Sequence, residues 1–309
     1  MLALIAGPGA LGAYTLKDNY TPSSFFSMFN FFTAGDPTHG FVKYLDQATA
    51  ASQGLISSTA SSVYIGADHS NTAPSGRSSI RIQSKKLYTH GLFILDLAHM
   101  PGSICGTWPS FWTYGSQQTW PANGEIGESS FRVHTQAMNS MALHTAEGCT
   151  TSGVNQTGRV QTGNCFVNAA GQSSNAGCGV ESTTPTSYGT AFNAAGGGVY
   201  ATEWTSSAIK IWYFPQTALP RDIASGSPNP SRWGVPQANF AGGCNIDAHF
   251  TNHQIVFDLT FCGDWAGNVW SSSSCSALAA SCDAYVANNP AAFAEAYWRI
   301  NSLRVYQSS

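Results

Sequence analysis

Short segments in which apolar and polar residues alternate, or in which apolar residues run together, recur along this chain between clusters of Gly, Ser, Pro and Asn. Residues 63–68, 79–84 and 91–97 have this character, and so do 208–214 and 254–260. A period of two sends successive side chains to opposite faces of a strand, and the intervening small and polar residues supply turns. Ala294, Tyr297, Trp298 and Ile300 lead into residues 302–306, which read as a closing strand. Helical periodicity is scarce. Residues 283–294 predict one short helix, interrupted at Pro290, whose ring and missing N–H break the ladder. Many short strands with Gly- and Ser-rich connections predict an all-β sandwich or jelly roll. No repeat, linker or shift in composition divides the chain, so residues 13–309 read as one domain.

Composition narrows the class. Only 9% of residues are charged, but 43% are hydrophobic and 12% aromatic, so a core can form and disorder is excluded. Formal net charge is -3 and no Lys/Arg run occurs, which argues against a nucleic-acid partner and against a polybasic membrane patch. An aromatic-rich, weakly charged surface suits a neutral polymer: sugar C–H faces lie on rings, and hydroxyls meet amides. Eight cysteines, with no Cys-x-x-Cys and no His in ligand spacing, read as disulfides formed in an oxidising compartment. Proximity makes Cys275/Cys282 and Cys165/Cys178 candidate pairs, although eight cysteines leave the connectivity open. Asn-x-Thr sequons at Asn19 and Asn155 agree with secretion. Residues 1–12 are apolar and end in small residues, as a signal-peptide remnant does. No later stretch reaches the ~18 apolar residues that a spanning helix needs. Together these features predict a secreted protein acting as a monomer, with no membrane partner.

The chemistry concentrates in residues 105–145. Trp108 and Trp112 stand four apart and share a face if the segment is extended. Trp120 precedes an Asn123-Gly124 turn signal, and Glu125 follows it into a strand. A carboxylate flanked by Trp112 and Trp120 is a sensible glycosidase arrangement, with rings as sugar platforms and the acid as nucleophile or proton donor.

In this region the chain resembles the fungal laminarinases, endo-β-1,3(4)-glucanases of glycoside hydrolase family 16. The blocks that carry the resemblance include Asp36-Pro37-Thr38-His39-Gly40, Cys105-Gly106-Thr107-Trp108-Pro109, Leu143-His144-Thr145 and Phe261-Cys262-Gly263-Asp264-Trp265-Ala266-Gly267, and they span nearly the whole chain. The resemblance implies a curved, concanavalin A-like β-sandwich jelly roll with a β-glucan cleft on its concave face, and retaining hydrolysis; no cofactor or metal is expected from the residues. Glu125 matches the nucleophile. The helper Asp position holds Gly127, and the acid/base positions hold Ser129 and Ser130. Glu128 is then the acid/base candidate, but three residues of regular strand would turn it to the opposite face, so a bulge at Gly127 is required. Trp112, Trp120 and Trp265 are expected to hold pyranose rings, with Glu203 on the cleft side and His144 beside the catalytic strand. Trp108 is expected in the core, and His39 and His249 in structural roles. Asp68, Asp96 and Asp258 show no metal-site spacing. A lectin-like protein that binds β-glucan without cutting it is the alternative on the same scaffold.

Overall fold

The structure, a computed structural model, describes residues 14–129 and 138–308, apart from the side chains of Glu128 and Ser129. The stretch read as a signal-peptide remnant, residues 1–12, lies outside the described residues. In the strand Thr107–Gly115, Phe111 and Thr113 are buried, whereas Trp108, Trp112 and Tyr114 keep part of their surface exposed. The same sorting along other strands builds two eight-stranded sheets.

The first sheet runs Ala238–Phe240, Ile209–Pro215, Gly198–Trp204, Gly91–His99, Tyr297–Ser308, Val63–Gly66 and Ile56–Ser58, with Tyr14–Tyr20 also paired to Tyr297–Ser308. The second runs Arg159–Thr162, Cys178–Glu181, Ser140–His144, Glu125–Ser129, Thr107–Gly115, His253–Phe261, Arg81–Ser84 and Phe29–Phe31. All pairings within them are antiparallel, in the order of a jelly roll, with two open-edged sheets rather than a closed barrel. The predicted all-β class is therefore observed. The segment 79–84 is not one strand: it breaks at Ile80, which is fully buried between Arg77–Ser79 and Arg81–Ser84.

The main core lies between the sheets. Phe93, Leu95, Tyr200, Trp204 and Trp298 from the first meet Phe111, Ile126, Leu143, Ile255 and Phe257 from the second. Each such side chain contributes roughly 1.5–3 kcal/mol by leaving water. A second cluster covers the outer face of the first sheet, where Leu92, Ile94, Val199 and Ala201 pack with Trp212, Ile223 and Trp233. Both faces of Gly91–His99 are thus covered, which explains why its sequence runs apolar instead of alternating.

A third cluster, around Phe261, Trp270, Val286 and Phe293, underlies the helical tail. The helix Cys282–Asn288 is capped by the Ser281 side chain and gives way at Pro290 to a single tight turn, as the sequence predicted. Four disulfides staple the molecule: Cys105–Cys275, Cys149–Cys244, Cys165–Cys178 and Cys262–Cys282. Cys165 and Cys178 pair as their spacing suggested. Cys275 and Cys282 do not. Both sit on segments docked against the sheet ends, and each faces a strand terminus instead of the other. Among the described residues no helix is long and apolar enough to cross a membrane.

Candidate active site

The outer face of the second sheet carries a cleft of about 380 Å³. Its floor follows from strand parity: Trp108, Ser110, Trp112 and Tyr114 alternate on Thr107–Gly115, with Asp258 and Thr260 on one flanking strand and Glu125 on the other. Trp108 therefore belongs to the cleft and not to the core, which corrects the expectation. It has the same parity as Trp112, and the even spacing of the two carried that information.

Glu125 is delivered by a rigid turn. Gly124 has φ +75°, and a Cβ there would stand 2.5 Å from the His249 carbonyl oxygen, so only glycine fits. The Gly124 carbonyl accepts from Gly115 N at 3.0 Å, locking the turn to the neighbouring strand. Beneath it, fully buried His253 lies 2.8 Å from the Asn123 carbonyl oxygen through Nε2 and 2.8 Å from Thr113 Oγ1 through Nδ1. A carbonyl only accepts, so Nε2 carries the hydrogen and Nδ1 accepts from the threonine. Burial lowers the His253 pKa to about 4, which keeps this neutral tautomer.

At the mouth of the turn, Trp120 is 38% exposed and donates its indole N–H to Glu125 Oε2 at 2.8 Å. His144 is in register with Glu125 on the adjacent strand, with Nε2 3.9 Å from Glu125 Oε1. The Trp120 and His144 rings are 6.3 Å apart. The structure thus gathers Trp112, Trp120, Glu125 and His144 at one place.

On the other side of Trp112 lies a buried charge cluster that sequence reasoning missed. The Arg81 guanidinium sits over the rings of Phe32 at 4.6 Å and Trp112 at 5.1 Å. It is 3.9 Å from Asp36 Oδ1 and 4.0 Å from Asp258 Oδ2. Asp36 Oδ2 accepts from Thr260 Oγ1 at 2.6 Å and Thr38 Oγ1 at 2.8 Å. Asp258 Oδ2 accepts from Trp112 Nε1 at 3.3 Å. Burial raises the Asp258 pKa to about 7 and Asp36 adds to this, while Arg81 and the indole N–H oppose it. These three charged residues come from separate stretches of sequence. Only their parity on paired strands, Asp258 opposite Arg81 and Ser110, could have signalled their meeting.

One expected site residue lies elsewhere. Glu203 is on Gly198–Trp204 in the first sheet, where it accepts from Lys210 Nζ at 3.1 Å and Tyr14 at 3.0 Å. Trp204 beside it faces the main core, so alternation turns Glu203 to the outer face of that sheet, across the sandwich from the cleft. Trp265 is half-buried in the turn Gly263–Gly267, beside the cleft rim. Its neighbour Asp264 lines the rim and pairs with His39 Nδ1 at 2.9 Å. Ser130 and the side chains of Glu128 and Ser129 lie outside the described residues. The backbone of Glu125–Ser129 is described: Gly127 is opposite Trp112 and Ser129 opposite Phe111, so the register shifts by one residue at Glu128.

The model of the XgeA-like, catalytic domain of glycoside hydrolase family 16 matches residues 29–306. An endo-1,3(4)-β-glucanase of Arthroderma benhamiae is 49% identical over 99% of this chain and 68% of its own length. The endo-1,3(4)-β-glucanase xgeA of Emericella nidulans is 42% identical over 96% of this chain, which spans only 48% of that longer protein. Among solved structures, laminarinase 16A from Phanerochaete chrysosporium, with β-glucans in donor and acceptor sites, superposes with TM-score 0.89 at 45% identity, covering 96% of this chain and 100% of that one. A match over nearly the full length, on the same two-sheet architecture, shows that the chain belongs to glycoside hydrolase family 16, among its XgeA-like catalytic domains.

Proposed function

We propose that this domain hydrolyses internal β-1,3 or mixed β-1,3/1,4 glucosidic bonds with retention of configuration, outside the cell. The observation that carries the reading is a carboxylate, Glu125, on the floor of an aromatic cleft and held by the Trp120 indole N–H at 2.8 Å. Trp108, Trp112 and Trp120 offer ring faces to a neutral sugar chain, and relatives of this chain carry glucanase names. Four disulfides favour an oxidising compartment.

In the first step a Glu125 oxygen attacks the anomeric carbon, the glycosidic C–O bond breaks, and the leaving oxygen takes a proton from a second carboxyl group. In the second, water gives that group a proton, attacks the same carbon and frees Glu125. The two groups must stand ~5–5.5 Å apart for this. Asp258 does not meet that condition: two inter-strand spacings and four register positions separate it from Glu125, roughly 17 Å between Cα atoms. Glu128 is our assignment for the second carboxyl. The register shift at this residue supports it, since a bulge is the device that lets odd spacing reach one face.

The test is incubation with laminarin and with a mixed-linkage glucan, following new reducing ends and the anomer first formed. Glu125→Gln and Glu128→Gln should each lower the rate at least ~10³-fold while oligosaccharide binding persists. Binding without any cleavage by the wild-type chain would overturn the hydrolase reading. Unchanged turnover in Glu128→Gln would overturn the assignment of that residue.

A further inference from the structure

Asp258 has almost no access to water, with 6% of its surface exposed, while standing directly beside a sugar platform. Its Oδ2 takes the Trp112 indole N–H, and its Oδ1 is buried with no hydrogen-bond partner among the described residues. A buried carboxylate with a spare lone pair costs stability. The groups facing it are few. Arg81 approaches from Arg81–Ser84, Asp36 lies beyond Arg81, and Glu125 and the buried Tyr44 hydroxyl act on it through space. The Trp298 indole N–H donates to its backbone carbonyl at 3.4 Å, which anchors the main chain from the core side.

We infer that Asp258 is a positioning residue for Trp112: it fixes the indole plane in the cleft through Nε1–H, and so sets the platform on which a glucose ring stacks. Arg81 closes the other constraint, since its guanidinium lies against the Trp112 ring while standing 4.0 Å from Asp258. Trp112 is therefore held at its edge and on its face. The role in sugar binding rests on the β-glucan reading above; the hold on the indole does not.

The two parts separate in one set of measurements. The Trp112 indole ¹⁵N–¹H resonance, assigned by its absence in Trp112→Phe, is followed from pH 5 to 9 with no sugar present. An ionised carboxylate is the stronger acceptor, so the resonance should shift downfield as pH rises through about 7, and Asp258→Asn should abolish this shift. His144 and the His39–Asp264 pair also face the cleft, and the Asp258→Asn comparison removes their share. Laminarihexaose binding is measured in parallel. Asp258→Ala should weaken it about 2- to 10-fold, and Asp258→Asn, which keeps an acceptor oxygen, should stay within about twofold. In a Trp112→Phe background the effect of Asp258→Ala should vanish. An indole resonance indifferent to Asp258→Asn, or an Asp258→Ala effect that survives in Trp112→Phe, would overturn the inference. Wild-type protein that shows the titration but binds no hexaose would instead overturn the glucan reading and leave the hold on Trp112 standing.

Discussion

His253 Nε2 donates to the carbonyl oxygen of Asn123 at 2.8 Å, two residues ahead of Glu125, so a fully buried neutral imidazole supports the turn that presents the nucleophile candidate. Its pKa is lowered to about 4 by burial, while that of Asp258 is raised to about 7 by the same cause. For His253 the stabilising contribution is complete above its ordinary value of 6.5 and is lost as pH falls toward 4. For Asp258 the contribution is complete below 3.8 and is lost as pH rises toward 7. Each slope is ~1.4 kcal/mol per pH unit within its window, and the two oppose one another. Compared with wild type between pH 4 and 7, Asp258→Asn should gain a stability that rises with pH, and His253→Gln one that falls. Melting temperatures across that range check both signs. Parallel curves for all three proteins would remove both assignments.

The Trp120 N–H binds the carboxylate directly, and Trp120→Phe keeps a ring while deleting the donor. Hydrogen bonds to charged groups contribute ~1.5–3 kcal/mol, so turnover of laminarin should fall about 10-fold or more. Laminarihexaose binding should change little. Equal kcat in both proteins would show that the donor does not matter to the reaction.

Trp108 separates a platform from a core residue. As a cleft ring, its replacement in Trp108→Ala should weaken oligosaccharide binding about 3- to 10-fold and move Tm by only ~2 °C. Calorimetric titration and thermal melts decide it. A large drop in Tm with intact binding is what a core role would produce.

The disulfides differ in the loops they close. Cys105–Cys275 spans 170 residues and Cys165–Cys178 only 13. Loop entropy in the unfolded chain then favours the first, at ~5 against ~3 kcal/mol. The double variant Cys105→Ala/Cys275→Ala should therefore melt below Cys165→Ala/Cys178→Ala. The reverse order in thermal unfolding would contradict this.

Much of the architecture was legible in the chain itself. Period-two alternation or a short apolar run marked 63–68, 91–97, 208–214 and 254–260 as strands, because both are local properties of the chain. Even spacing put Trp108 and Trp112 on one face, and the Asn123-Gly124 turn before Glu125 was visible as a glycine requirement. What alternation lacks is a label for inside and outside. That is why the sequence alone leaves Trp108 looking like core, whereas the family resemblance points Glu203 to a cleft from which its sheet turns it away. Disulfide partners, the Asp36–Arg81–Asp258 cluster and the hold on Trp112 all depend on which strand lies beside which. Those are contacts between residues far apart in sequence, and only the tertiary pairing of strands, with the docking of loops against them, selects them.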